Sequence, residues 1–189
     1  VSLTKTLLIR LIMIQKTTSS QPPAAGFTLI ELLVITVIVG VLATLSTSGV
    51  LGFVRTQRLK SANNQVSVAI REAQNNAISD KVSWQASFRE QGNQVEWAVH
   101  PDSVSASNAN WYALEPTVSI DNETDLPQSN GVYRVVFDQR GTVETDLGGI
   151  TLTLEGGSKQ KRCVLVSTIL GTIHTSRNQA TPKNGKDCY

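Results

Sequence analysis

Gly26-Phe27-Thr28-Leu29-Ile30-Glu31-Leu32-Leu33-Val34 opens a run that stays apolar as far as Leu45 and carries one charge, Glu31. A helix of about 20 apolar residues spans a bilayer, and residues 27–45 come close to that length. The acid is the informative exception. A carboxylate at the bilayer centre costs about 2.5–3.5 kcal/mol or more, so it marks a function and needs a partner. Glu31 lies in the first turn, where a helix N-terminus favours negative charge. A free α-amine on Phe27 would neutralise it, and that amine exists only if the chain is cut after Gly26.

These nine residues resemble the processing site of type IV pilins and type II secretion pseudopilins. The resemblance implies a prepilin peptidase that cuts after Gly26 and methylates the new amine of Phe27. It implies that Glu31 registers the subunit among other pilins or pseudopilins in a helical filament. Two other readings compete: an uncut membrane anchor, and a conventional signal peptide cut after Ser46-Thr47-Ser48. A mature N-terminus at Phe27, Val1 or Gly49 separates the three.

The 189 residues leave room for one modest domain and an anchor. Residues 1–26 read as a leader to be removed, and Gln21-Pro22-Pro23 keeps it from joining the helix beyond. Formal net charge is +2, from 17 basic and 15 acidic residues. Lys5, Arg10 and Lys16 fall in the leader, so the rest is nearly balanced and has no global basic field for nucleic acid. The C-terminus differs locally: Lys159, Lys161, Arg162, Arg177, Lys183 and Lys186 face only Asp187.

A basic leader stays in the cytoplasm, which places the following domain on the far side of the membrane; the resemblance implies that this is the periplasmic side of a single-pass protein of the bacterial inner membrane. Cys163 and Cys188 would then meet an oxidising compartment. A bridge between them would close a loop of about 26 residues and contribute on the order of 3–4 kcal/mol. Two free thiols are the alternative.

Residues 27–54 form the membrane and assembly half of one long helix, and residues 55–80 an amphipathic half. In the second half Leu59, Ala62, Val66, Ala69, Ile70, Ala73 and Ala77 recur mostly at steps of three or four, one face of a helix. Gly40, Gly49 and Gly52 each cost about 1 kcal/mol against Ala and would mark bends or loosened turns. After Lys81 the period becomes two. Residues 82–88 and 94–99 read as a hairpin, 100–131 mainly as loop, and 132–137 and 150–154 as strands. Residues 163–167 and 171–174 read as a last hairpin, and 176–189 as a polar tail. The fold class is therefore α+β: a long N-terminal helix whose alanine-lined half covers an antiparallel β-rich domain, residues 81–189.

Phe137-Asp138-Gln139-Arg140-Gly141, with the strands after it, looks like H-type pseudopilins and FimT-like minor pilins. Some FimT-like proteins carry a Gly-Arg-x-Arg element near the last hairpin, implicated in DNA uptake. Here Gly171-Thr172-Ile173-His174 stands instead.

Nothing in the pattern points to an enzyme, a cofactor or a metal. His100 and His174 lack metal-binding spacing, and no nucleophile elbow or phosphate loop is present. His100, before Pro101, reads as a loop residue. Asp121, Glu123 and Asp125 read as a solvated acidic loop, without the Gly and terminal Glu of a calcium loop. The expected function is a structural subunit of a type IV pilus or secretion pseudopilus. The rival is a DNA-binding minor pilin, with Lys159, Lys161, Arg162 and Arg177 as anion ligands beside Trp111, Tyr112 or Tyr189.

Overall fold

The computed structural model describes residues 26–155 and 160–189, and for residues 44–49 the backbone alone. The chain divides into two compact units, Val1–Leu45 and Ser46–Tyr189. One helix, α1 (Leu29–Asp80), contributes to both and is helical at Gly40, Gly49 and Gly52 alike. The described part of the first unit is the apolar start of α1. It is exposed throughout, with Leu29 and Ile30 at 82% and 65%. Among the described residues no helix is long and apolar enough to cross a membrane. Thr44 and Leu45 lie outside the residues whose side chains are described.

In the second unit the stripe read from the spacing is the buried one. Leu59, Ala62, Val66, Ala69, Ile70, Ala73 and Ala77 are all at most 1% exposed and belong to a single core. Burying each of the larger ones removes apolar surface worth about 1.5–3 kcal/mol from water. The helix stops where Lys81 turns to φ 59, its N–H still bonded to the Ala77 carbonyl at 3.1 Å.

The strands are β1 (Trp84–Gln91), β2 (Gln94–Pro101), β3 (Tyr112–Ala113), β4 (Val118–Ile120), β5 (Gln128–Ser129) and β6 (Val132–Phe137). They continue with β7 (Gly148–Leu154), β8 (Lys161–Val166), β9 (Ile173–Lys183) and β10 (Lys186–Cys188). Two antiparallel sheets result, in the orders β3-β2-β1-β6-β5 and β10-β9-β8-β7-β4. Ala86, Phe88, Val135 and Phe137 of the first and Ile150, Leu152, Val164 and Val166 of the second join the helix stripe in the core. These are every-second-residue positions, one face of each pleat. The edge strands β3, β5, β4 and β10 are only two or three residues long.

Two expectations change. The polar tail is a hairpin: β9 runs to Lys183, and Asn184 and Gly185, at φ 53 and 78, turn the chain into β10. Positive φ at both turn positions is the type I′ geometry that Asn-Gly favours. His100 is a β2 residue, 4% exposed, rather than a loop residue. Its Nε2 lies 3.1 Å from Ser87 Oγ and its Nδ1 3.0 Å from the Pro101 carbonyl, so burial is compensated by hydrogen bonds.

One helix side chain ties two loops to the core. Gln74 Nε2 donates to the carbonyls of Gly141 and Leu170, at 2.9 and 3.0 Å. Gly171 lies against it at φ 73, and a Cβ there would meet Gln74 Nε2 and approach Phe137 Cε1 to 2.9 Å. Gly92 also has positive φ but faces open space. Gly171→Ala should therefore destabilise the domain by about 1–3 kcal/mol, and clearly more than Gly92→Ala. Parallel thermal unfolding of the two variants checks this, and equal losses would refute the close-packing account of Gly171.

Candidate functional site

The first candidate site is the start of α1. Gly26 is exposed, with nothing among the described residues within 4 Å of where a Cβ would stand, and Phe27 is 75% exposed. Thr28 caps the helix: the Glu31 N–H donates to Thr28 Oγ1 at 3.3 Å, and the Leu32 N–H to the Thr28 carbonyl at 3.1 Å. Glu31 is the acidic residue of the first turn. Among the described residues its carboxylate has no ion-pair partner within the chain. The segment thus combines an accessible backbone at Gly26–Phe27, a single unpaired acid and an exposed apolar helix surface.

The second candidate is the basic C-terminal segment, and β8 divides it. Successive strand residues point to opposite faces. Arg162 falls on the side of the buried Val164 and Val166, and Lys161 on the side of Cys163. Lys159 lies outside the described residues.

Lys161 is not a free anion ligand. Its Nζ bonds to Glu123 Oε1 at 2.6 Å and Asp121 Oδ1 at 3.1 Å, with Asp187 Oδ2 at 3.6 Å. The second oxygen of Glu123 accepts from the Cys188 N–H at 3.2 Å, and Lys186 pairs with Asp125. Cys163 and Cys188 are joined by a disulfide across a separation of 25 residues. The acids read as a solvated loop are thus counter-ions that hold the C-terminal hairpin. Their partners lie 38 to 65 positions away in sequence, so no local pattern announces them.

Arg162 and Arg177 face one another directly across β8 and β9. The aromatic residues expected beside them are engaged elsewhere. Arg89 stacks 4.0 Å over Trp111, whose Nε1 donates to the Ala106 carbonyl, and Tyr112 packs on Trp97 in the first sheet. Tyr189 Oη donates to the Thr181 carbonyl at 3.0 Å. His174 is an exposed residue of β9 opposite Leu165. Among the described residues no group of side chains is arranged to hold a metal ion.

Burial acts to lower the Lys161 pKa, but its hydrogen bonds to Glu123 and Asp121 and their charges outweigh this and raise it to about 12. For Glu123, burial acts upward, and hydrogen bonds from Lys161, Asp187 and Cys188 outweigh it and hold the carboxyl below its ordinary 4.5. Glu123 therefore stabilises fully above pH 4.5 and loses that contribution as pH falls through its lower folded value. Lys161 stabilises fully below pH 10.5 and loses its contribution as pH rises through about 12. Lys161→Met should cost about 3–5 kcal/mol at neutral pH, and the difference from wild type should shrink in acid as the carboxylates protonate. Chemical denaturation across the pH range measures it. A loss independent of pH would contradict the ion-pair account.

Residues 22–47 match the family model of the prokaryotic N-terminal methylation motif. Among curated proteins none matches this sequence. Two crystal forms of the type IV minor pilin FimU of Pseudomonas aeruginosa are similar in structure, each at 15% identity. The first gives a TM-score of 0.47 over 65% of this chain and 90% of that one; the second, 0.43 over 62% and 91%. Likeness at that distance carries no residue roles across. The methylation segment thus stands at the start of the helix whose second half covers the antiparallel β-rich domain.

Proposed function

We propose that the chain is a minor pilin or pseudopilin, cut by a prepilin peptidase after Gly26 and N-methylated on Phe27. In this reading residues 27–54 anchor it in the bacterial inner membrane, with the β-rich domain on the periplasmic side. The same helix later packs against those of other pilins in a helical filament. The observation that carries this is Glu31, the one acid of the apolar run, which has no ion-pair partner among the described residues and stands one turn from the exposed Gly26 and Phe27. In lipid that charge needs a cation, and a newly made α-amine, its own or a neighbour's, is the nearest one the chemistry supplies. The role is structural rather than enzymatic, as the family's subunits are.

A DNA-capturing subunit has less to rest on. Lys161 is neutralised by carboxylates, and Trp111 and Tyr112 are packed on the other sheet.

Gly26→Phe should block cleavage, and intact-mass analysis of the membrane-extracted protein would then show the leader retained. Glu31→Ala should leave membrane insertion and cleavage intact but lower recovery in sheared filaments by about tenfold, the effect of losing one charge-assisted contact. Wild-type recovery of Glu31→Ala, or a mature N-terminus other than Phe27, would refute the proposal.

A further inference from the structure

Arg162 and Arg177 stand directly opposite on β8 and β9, and like charges in that position repel. Among the described residues neither has an ion-pair partner. Both line a cavity of about 430 Å³ with Thr56, Leu59, Gln160 and Lys161, whose ammonium is already held by carboxylates, and no acidic residue is among the described residues that line it. The core face of the second sheet runs Val166, Val164 and then Arg162, so this cavity begins where the apolar core ends. Arg162 is half-buried and Arg177 exposed, which leaves the pair reachable from outside.

The position in the chain says which anion fits. Thr56 belongs to α1, and its hydroxyl lies within hydrogen-bond reach of two acceptors for its one proton, Gln160 Oε1 at 3.0 Å and the Gly52 carbonyl at 2.9 Å. Immediately before it, Val50, Leu51 and Phe53 are 56%, 64% and 70% exposed. An apolar helix surface thus gives way, within one turn, to a cavity that holds two unpaired guanidiniums. That is the order of groups in a phospholipid read from acyl chain to head group. Two guanidiniums also match the oxygens of a phosphate better than a single lysine would.

We propose that this cavity binds the phosphate head group of an anionic phospholipid at the membrane surface. The proposal rests on the membrane reading of residues 27–54. The bound phosphate relieves the Arg162–Arg177 repulsion and holds the start of the β-rich domain against the bilayer. DNA fits the position less well, because the cavity's neighbours are apolar helix residues meant for lipid and no aromatic side chain lines it.

The test uses the full chain in neutral detergent micelles, titrated with dioleoylphosphatidylglycerol or dioleoylphosphatidylcholine and read by native mass spectrometry and thermal unfolding. Phosphatidylglycerol should be retained and raise Tm, and Arg162→Gln with Arg177→Gln should weaken that retention about tenfold, equivalent to ~1.4 kcal/mol. Arg162→Lys with Arg177→Lys should recover part of it. The doubly substituted protein's Tm in phosphatidylcholine reports whether it has folded; if it has not, Arg177→Gln alone, at an exposed position, carries the same comparison. Equal retention by wild type and variant would overturn the site. So would an equal Tm rise with inorganic phosphate alone, or Arg-dependent binding of a short DNA duplex without lipid preference. A chain that enters bilayers normally yet shows no head-group preference would overturn this site and leave the filament-subunit reading standing.

Discussion

The core shared by the helix and both sheets is built on a stripe of small side chains. Ala62, Ala69, Ala73 and Ala77 carry nothing beyond Cβ and are fully buried, so that face of the helix presents little side-chain bulk to the core. The larger Leu59, Val66 and Ile70 fill the spaces between, and the inward residues of both sheets complete the core. A helix that had to carry bulky residues at every inward position would hold the sheets apart and expose the row from Ile150 to Val166. Interiors are close-packed, and extra methylenes in such a seam cost about 1–3 kcal/mol each. The same helix begins with an exposed apolar surface, so one element contributes both a domain core and a surface that water does not suit.

Strand alternation then separates charges that stand side by side in sequence. Lys161 and Arg162 are neighbours, but the pleat sends one to three carboxylates and leaves the other without any. The first is consumed by structure. It draws the 121–125 loop and the C-terminal residues together beside the Cys163–Cys188 bridge. The second is left available. Counting positive residues at this end of the chain would have merged two opposite roles.

What could be read from sequence follows from how local each determinant is. The stripe from Leu59 to Ala77 was legible because helical spacing is a property of neighbours, and so was the hairpin of β1 and β2, with its strict alternation and Gly92 turn. The C-terminal hairpin was not legible from alternation, because both faces of β9 beyond Ile173 are largely exposed and no apolar period survives there. Its Asn184-Gly185 turn was the one local signal. His100 was misplaced because a following proline suggests a loop, whereas Pro101 ends β2 and its carbonyl serves the imidazole. The acid cluster around Lys161 was invisible for a different reason: its members are distant in sequence and meet only after both sheets form. At the other end, the Gly26–Glu31 motif was legible because its chemistry lies within a few adjacent residues.

The short edge strands have a consequence of their own. Strands β3, β4, β5 and β10 offer only two or three residues each to an incoming chain, and where β9 outruns β8 it presents Pro182 and Lys183. Proline lacks the donor and lysine repels its own kind, so neither edge invites ladder growth. Beyond the outer half of β9, this domain gives neighbouring copies little main chain to zip onto. Fibrillar stacking is disfavoured before any chaperone is needed, and whatever contacts the protein does make are left to side chains.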